Sequence, residues 1–217
     1  MIVADGRAVF VDVDGTLTDD ISAWEKVHHI FELKDEMNHH QELYYSGKIS
    51  YAEWARLDVS LWKGKSYRLL QKSLKDPVLR KGAKEGVGML KNAGFDVILI
   101  SGGIDEMVKD VANTVGADLF LANSIGHDNG IINGEVNIIV GNSKDGLVTK
   151  VAKDRNYNLK TCGAIGDNVN DIEMFKTVGY SVAINTDKRV VIEAANEFVP
   201  THDFSHAAES ILKNIGR

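Results

Sequence analysis

The segment Ala8–Thr18, AVFVDVDGTLT, constrains the fold of this chain most, because an apolar run ends there in two aspartates one residue apart. Its side chains alternate little in polarity, which is typical of a central parallel strand covered by helices on both faces. Asp12 and Asp14 therefore lie at the carboxyl end of a strand, where open parallel sheets bind ligands. An ordinary Asp-Gly turn would explain Asp14 and Gly15, but it would not explain the second acid, Asp12. Two adjacent buried acids repel each other, so a cation or a shared proton is needed to stabilise them.

Size and composition exclude several classes of protein. A chain of 217 residues suits one large domain, or a domain with a smaller insertion. The net charge of -6 argues against nucleic-acid or membrane partners. Cys162 is the single cysteine, so no internal disulfide can form, and no apolar stretch approaches the roughly 20 residues of a membrane span. We therefore expect a cytoplasmic globular protein, either a monomer or a homodimer.

A helical insertion is predicted after the first strand. Residues 19–76 contain no proline and carry all three tryptophans. Their apolar residues recur at helical spacing, and Ser50 with Glu53 forms a capping box at the start of one helix. We expect an inserted helical domain at residues 20–77 and a core formed by residues 1–19 and 78–217.

From Val78 onward, helical and strand patterns alternate. Buried strands are predicted at residues 96–101, 118–122 and 162–165, with further strands at 181–184 and 198–199. Such alternation predicts an α/β fold with a doubly wound parallel sheet. Two turn signals, Asp128–Gly130 and Asn133–Gly134, predict a small antiparallel excursion, a β-hairpin, between residues 124 and 140.

Polar residues follow three of the predicted strands, and these strand ends meet at one edge of a parallel sheet. Any one of them would be an ordinary turn, but three together predict an active site. The residues concerned are Asp12 and Asp14 after the first strand, Ser101, Gly102 and Gly103 after the second, and Asp167, Asn168, Asn170 and Asp171 after the third.

This acidic edge favours phosphate chemistry. Clustered carboxylates suit Mg²⁺, which keeps waters and a substrate oxygen in its coordination shell. Asp12 is the candidate nucleophile and Asp14 the candidate proton donor and acceptor. The hydroxyl and N–H groups of residues 101–103 form a candidate phosphate cradle ahead of a helix. A cation for the phosphoryl oxygens is expected from either Lys144 or Lys150.

The same residues resemble the haloacid dehalogenase superfamily of aspartyl-phosphate phosphatases, most closely its phosphoserine phosphatase branch. DVDGT at 12–16, ISGG at 100–103 and GDNVND at 166–171 are similar to three of its motifs. The resemblance implies a Rossmann-like core with a small helical cap that closes over the site. It also implies that Mg²⁺ is bound by Asp12, by Asp167 and by the carbonyl of Asp14, with Asp171 supporting the metal shell and the lysine. It implies that Lys144, rather than Lys150, is the cation for the phosphate, and that Asn170 lies near the phosphate or the metal waters.

The cap departs from the pattern of that branch. The place of its amino-binding glutamate falls on Ile21, and the place of its carboxylate-binding arginine falls on Asp58. Either nearby Asp20 and Arg56 take over these contacts, or the leaving group is not serine. Trp24, with Trp54 and Trp62, either lines an apolar pocket or packs the cap, and packing is the preferred interpretation.

The sequence therefore predicts a Mg²⁺-dependent phosphomonoesterase that acts on a small phosphorylated metabolite, nominally phosphoserine. Two alternatives remain open: transfer of the phosphoryl group to an alcohol such as homoserine, and a binding protein without turnover. The adjacent pairs His28–His29 and His39–His40 point to different helix faces, so we expect solvated or partly packed rings rather than a metal site.

Overall fold

A computed structural model describes residues 6–19 and 22–216 of the chain. Within these residues one seven-stranded sheet has the order β4-β3-β2-β1-β5-β6-β7, with β4 antiparallel to β3 and every other neighbouring pair parallel. This arrangement confirms the predicted α/β class. The strands are β1 Ala8–Val11, β2 Asp96–Ile104, β3 Leu119–Asp128, β4 Ile131–Asn137, β5 Gly163–Gly166, β6 Tyr180–Ile184 and β7 Glu197–Val199.

Ten α-helices accompany the sheet in the described part of the chain. None of them is both long and apolar enough to cross a bilayer. They are α1 Ala23–Ile30, α2 Lys34–Tyr45, α3 Tyr51–Trp62, α4 Tyr67–Leu74, α5 Ala83–Asn92, α6 Asp105–Val115, α7 Asp145–Arg155, α8 Ile172–Thr177, α9 Arg189–Ala194 and α10 Phe204–Ile215.

Strand β1 lies at the centre of the sheet, between β2 and β5. All four of its side chains are buried, and they alternate between two hydrophobic cores, one on each face of the sheet. Val9 and Val11 pack in the core that contains α5, α6 and α10, whereas Ala8 and Phe10 pack in the core that contains α7, α8 and α9. This two-sided burial explains why β1 lacks polar alternation and why it places Asp12 at the sheet edge.

The four helices α1–α4 form what we call the helical segment, residues 22–75. Trp62, Leu70 and Leu74 are fully buried there, in a third cluster that also includes Ile125 and Ile132 of the β3–β4 hairpin. The predicted capping box of Ser50 and Glu53 is present at the start of α3. Helix α2 differs from the others because it has no buried residue. The helical segment therefore rests on the hairpin through α3 and α4.

The hairpin lies within the predicted range, with antiparallel pairing from Ser124 to Asn137, but it has one turn rather than two. Asn129 and Gly130 have positive φ angles of 49° and 80° and form the turn. Asn133–Gly134, predicted as a second turn, instead lies within β4, where the pairing with β3 shifts register. The prediction was wrong because a glycine with φ of 91° also serves a β-bulge, which bends a strand without ending it.

Candidate active site

The loop after β1 brings its two acids against the end of β5. The N–H of Asp12 donates to the carbonyl of Ile165 at 3.0 Å, and its side chain is buried. Gly15 has a φ of 85°, and a Cβ there would lie 2.5 Å from Oδ2 of Asp167. A larger residue at this position would be both strained and obstructed. Gly15 thus allows Asp12 and Asp14 to approach Asp167.

A buried arginine that no motif marks holds this loop. Nε of Arg80 donates to the carbonyl of Thr16 at 2.9 Å, and Nη2 donates to the carbonyl of Gly15 at 2.8 Å. The same guanidinium is ion-paired with Asp19 at 2.6 Å. Its fixed fork of donors suits several carbonyls of one tight loop, so Arg80 is a positioning residue that the sequence motifs missed.

The end of β2 supplies a hydroxyl and a close backbone. Oγ of Ser101 donates to Oδ2 of Asp14 at 3.3 Å, and the N–H of Gly103 donates to Oγ of Ser101 at 2.9 Å. A Cβ at Gly103 would lie 2.7 Å from Oδ2 of Asp14, so this backbone is packed directly against the second acid. Ser101 and Gly102 remain candidates to bind phosphate, whereas the Gly103 N–H already has a partner.

Lys144, just before α7, is the cation of the site. Its side chain is fully buried and its Nζ is ion-paired with Asp12 and with Asp171, the latter at 2.6 Å. Burial alone would lower the pKa of Lys144, but the negative charges of Asp12 and Asp171 outweigh it and raise that pKa. Lys150 instead pairs at 2.8 Å with Asp154 on the surface of α7. Of the two candidate lysines, the structure brings only Lys144 to the acids.

The segment after β5 completes the acidic cluster. The N–H groups of Asp167 and Asn168 donate to Oδ2 of Asp171 at 3.1 and 3.0 Å. The hydroxyl of Thr16 donates to Oδ1 of Asp167 at 2.6 Å. Carboxylate oxygens of Asp12, Asp167 and Asp171 lie within 4.8 Å of one another. Burial, followed by the charge of Asp12, raises the pKa of Asp167 well above its ordinary value.

These carboxylates fit a divalent cation. Three acids so close and so well buried repel one another unless a proton or a cation offsets their charge. Asp171 is already held by Lys144 and by two backbone N–H groups. Asp12 and Asp167 are therefore the side chains in this group with oxygens available to a metal, and hard oxygen donors suit Mg²⁺.

The Asp14 carboxyl group has a raised pKa. Burial, with the neighbouring charge of Asp12, raises the pKa of Asp14 from 3.8 to about 7. Its Oδ1 is buried and has no hydrogen-bond partner among the described residues. A carboxyl group with such a pKa can donate a proton near neutral pH and take it back.

Asn123 on β3 is a second positioning residue that no motif indicated. Its Oδ1 accepts from the N–H groups of Ile139 and Val140, each at 2.8 Å. Its Nδ2 lies within hydrogen-bond distance of the carbonyls of Val140 and Gly102, each at 3.0 Å. The side chain is fully buried. Asn123 thus connects the segment that leads to Lys144 with the segment that carries Ser101.

The helical segment contacts the same backbone. Nε1 of Trp24 donates to the carbonyl of Gly102 at 2.9 Å, and the hydroxyl of Tyr51 donates to that carbonyl at 2.8 Å. Together with Asn123, three side chains from three elements converge on one carbonyl oxygen. The helical segment is therefore tied to the end of β2 by directed hydrogen bonds as well as by apolar packing.

A cavity of about 470 Å³ extends from the acids into the helical segment. Asp12, Asp14 and Asn170 line its inner end, and Oδ1 of Asn170 is buried without a hydrogen-bond partner among the described residues. Trp24 and Trp54 line its outer part, whereas Trp62 is fully buried in the core of the helical segment. Trp24 also packs against Trp62, and Trp54 stacks on Tyr44, so all three tryptophans pack within the helical segment while two of them also line the cavity.

The other predicted cap residues lie in different places. Asp58 is buried and lines the cavity, between His28 and His40. Arg56 is exposed and lines a separate groove beside β3 and β4, so the structure does not bring it to Asp12. Asp20 and Ile21 lie outside the described residues.

One of the four histidines differs from expectation. His28 is fully buried and His40 is mostly buried, while His29 and His39 are exposed. The prediction of solvated or partly packed rings was wrong for His28, because Asp58, 30 residues away on another helix, provides a buried partner.

The site combines a central parallel strand that ends in two acids, a Ser-Gly-Gly segment, a buried lysine and one further acid-bearing segment. Together these features define a hydrolase of the haloacid dehalogenase class. A model of the haloacid dehalogenase-like hydrolase family matches residues 7–179, and the chain belongs to this family. Within it, the chain is similar to phosphoserine phosphatase of Methanocaldococcus jannaschii, with 32% identity over 171 residues, 78% of this chain and 79% of that protein. Phosphoserine phosphatase of Wolinella succinogenes is 27% identical over 198 residues, 90% of this chain and 95% of that protein.

Solved structures give the same result. A phospho-aspartyl intermediate analogue of phosphoserine phosphatase superposes with a TM-score of 0.82 and 29% identity, covering 97% of this chain and 99% of that one. A substrate-bound phosphoserine phosphatase complex has a TM-score of 0.82 and 28% identity, covering 97% and 98%. The chain is therefore a phosphoserine phosphatase-like hydrolase, and these likenesses favour hydrolysis over the alternative of phosphoryl transfer to an alcohol.

Proposed function

We propose that this protein is a Mg²⁺-dependent phosphatase that hydrolyses a small phosphorylated metabolite, nominally phosphoserine, through a phosphoenzyme at Asp12. One observation carries the proposal: the Asp12 carboxylate lies at the inner end of the cavity, paired with buried Lys144 and within 4.8 Å of Asp167 and Asp171. The similarity to a phospho-aspartyl intermediate analogue supports the covalent route.

Asp12 and Asp167, with the main-chain carbonyl of Asp14, are the groups that we assign to Mg²⁺. When bound, the cation offsets the negative charge of the phosphoryl oxygens and of the clustered carboxylates. Lys144 supplies a further positive charge, and Asp171 holds Lys144 in place. The Ser101 hydroxyl and the Gly102 N–H would bind the phosphoryl oxygens, with Asn170 beside them.

In the first step Asp12 attacks phosphorus while the bond from phosphorus to the alcohol oxygen breaks. The leaving oxygen takes the proton of Asp14, so that an alcohol and an acyl phosphate form. In the second step Asp14 takes a proton from water as the water oxygen attacks phosphorus. The bond from phosphorus to the Asp12 oxygen breaks, which releases phosphate and restores the carboxylate. The pKa of about 7 suits Asp14 to both proton transfers.

We also propose that residues 20–77 act as a cap over a core of residues 1–19 and 78–217. The hydrogen bonds from Trp24 and Tyr51 to the Gly102 carbonyl support this proposal, since α1 and α3 would exclude water from the acyl phosphate there. The single cysteine is compatible with our further proposal of a cytoplasmic monomer or homodimer.

The test is Asp12→Asn, assayed with p-nitrophenyl phosphate and with phosphoserine, with Mg²⁺ and with EDTA. We expect hydrolysis to require Mg²⁺ and to fall by at least about 10⁴-fold in the variant, because the amide cannot form the acyl phosphate. Asp187→Asn, an exposed acid, is the matched control and should keep full activity. Turnover that survives Asp12→Asn would overturn the covalent mechanism.

A further inference from the structure

Asp58 is the buried acid of the helical segment, and two histidines hold it. Its Oδ1 lies 2.7 Å from Nδ1 of His40, and its Oδ2 lies 3.1 Å from Nε2 of His28. These partners come from α2 and α1, whereas Asp58 belongs to α3. The three helices thus converge on one carboxylate, which is only 2% exposed.

The cluster belongs to the cavity wall. Asp58 and His28 both line the cavity that ends at Asp12. His28 is fully buried, its ring packs edge-on against Trp62 at 5.2 Å, and its Nδ1 has no hydrogen-bond partner among the described residues. A buried polar atom without a partner is costly, so this end of the cavity is suited to a polar ligand group.

The Asp58 carboxylate has acceptor positions left for a polar ligand group. A carboxylate can accept about four hydrogen bonds, and the His40 ring uses one position on Oδ1. Nε2 of His28 lies 3.1 Å from Oδ2 but makes no hydrogen bond with it. The rings fix its orientation, so it can receive a donor without first being ordered. A buried carboxylate that keeps free acceptor positions is best complemented by a cationic donor.

The surroundings favour the same ligand chemistry. Trp24, Tyr51 and Trp54 line the cavity between Asp58 and the acids of the sheet edge, and Glu25 adds a second carboxylate to the lining. Aromatic faces attract ammonium groups and exclude water from them. Lys34 is the cation that faces this lining from α2, and its side chain is exposed.

We propose that Asp58, held by His28 and His40, receives an ammonium group of the leaving alcohol, so that the substrates are phosphorylated amino alcohols. This inference rests on the proposed phosphatase function and adds the recognition of the leaving group. It gives Asp58 a specificity role. It is compatible with phosphoserine, and it includes amino alcohols that lack a carboxylate.

The test compares three substrates whose leaving groups differ in one feature each. Phosphoserine carries an ammonium and a carboxylate, phosphoethanolamine carries only the ammonium, and 3-phosphoglycerate has a hydroxyl in place of the ammonium. The quantity measured is kcat/KM with Mg²⁺ for the wild type, for Asp58→Asn and for Glu42→Gln. Glu42 is an exposed acid of α2 outside the cavity lining, so its variant controls for net charge.

We expect Asp58→Asn to lower kcat/KM for phosphoserine and phosphoethanolamine by about 10- to 100-fold more than for 3-phosphoglycerate, since a hydrogen-bonded charge pair is lost. Glu42→Gln should leave the ratios as they are in the wild type. Because the ratios are taken within one preparation, partial unfolding of the variant cancels.

Two results would overturn the inference and leave the proposed function intact. Equal losses on all three substrates would mean that Asp58 only supports the helices. A larger loss on phosphoserine and 3-phosphoglycerate than on phosphoethanolamine would mean that the cluster binds a carboxylate, through its histidines. If the wild type hydrolyses none of the three substrates, nor p-nitrophenyl phosphate, with Mg²⁺, the proposed function itself fails.

Discussion

The sheet edge and the helical segment form two ends of one cavity, but they are built differently. At the sheet edge, Asp12, Ser101, Lys144 and Asp171 are almost completely buried and bond to one another or to adjacent backbone. In the helical segment, α2 lines the cavity without burying any residue.

This difference separates the residues proposed for the reaction from those proposed to recognise the substrate. The acids and the lysine have little freedom, because they are ion-paired or hydrogen-bonded to one another and to nearby backbone, as phosphoryl transfer requires. Residues on a weakly packed helix can change without disturbing the sheet. We therefore assign the chemistry to the sheet edge, the rigid end of the cavity, and recognition of the leaving group to the helical segment. Within that segment Asp58 on α3 is buried, whereas the α2 wall is adaptable.

The strongest test of this contrast removes the buried cation. We expect Lys144→Met to lower kcat by about 10³-fold and to destabilise the fold by about 3 to 5 kcal/mol, because Asp12 and Asp171 lose their shared partner. Steady-state kinetics and urea unfolding measure the two effects. Lys150→Met, on the surface of α7, should change stability by less than about 0.5 kcal/mol and leave kcat unchanged. Similar losses in both variants would remove the distinction between these lysines.

The acids of the rigid end make its stability depend on pH. The pKa values of Asp14 and Asp167 are raised in the folded protein, mainly by burial. As pH rises from about 4 to about 7, the unfolded chain loses these protons before the folded chain does, so the free energy of unfolding falls. In EDTA we expect the free energy of unfolding to fall by about 3 kcal/mol over this range. Urea unfolding at each pH measures this loss.

Mg²⁺ provides the check on this pH effect. A cation binds the deprotonated carboxylates, so Mg²⁺ should stabilise the protein more at pH 8 than at pH 5. Asp167→Asn removes one of the acids and should flatten both dependences. A stability profile in EDTA that rises with pH across this range would contradict the assignment of raised pKa values to the cluster.

A variant of the positioning residue Asn123 tests whether the sheet edge depends on the residues that hold its backbone. Asn123→Ala leaves the N–H groups of Ile139 and Val140 without their acceptor, so we expect about 2 kcal/mol of destabilisation. Because Asn123 also links the Gly102 and Lys144 segments, kcat should fall about tenfold while KM changes little. Asn137→Ala, at an exposed position of β4, is the control for losing an amide. A change confined to stability would make Asn123 purely structural.

The smallest effect is expected where the two ends meet. Tyr51→Phe removes one of the three hydrogen bonds to the Gly102 carbonyl, so stability should fall by about 0.5 to 1.5 kcal/mol and kcat by a few-fold. Trp24→Phe should behave similarly. If kcat in either variant fell as far as in Lys144→Met, the helical segment would have to take part in the reaction itself.

The sequence motifs predicted the sheet and its edge well because their information is local. A buried strand followed by acids or by Ser-Gly-Gly indicates where its side chains will lie, once parallel strands are assumed. The choice of Lys144 over Lys150 came from family resemblance, and the geometry agrees with it.

What the motifs missed depends on contacts between distant residues. Arg80 bonds to a loop more than 60 residues earlier, and Asn123 joins two segments that no common pattern links. The His28–Asp58–His40 cluster forms only when three helices converge, so each residue alone resembles an ordinary surface charge. The Asn133-Gly134 pair predicts a turn but forms a bulge, because both structures use a glycine with a positive φ.

The oxygen of Gly102 has a consequence for the timing of turnover. Its bonds to Trp24 and Tyr51 cross from the sheet to α1 and α3, while the bond from Asn123 stays within the core. If the proposed cap lifts to let product leave, the first two bonds must break while the third is spared. The Ser101–Gly103 backbone would therefore keep its shape while the entrance opens, ready for the next substrate without having to refold.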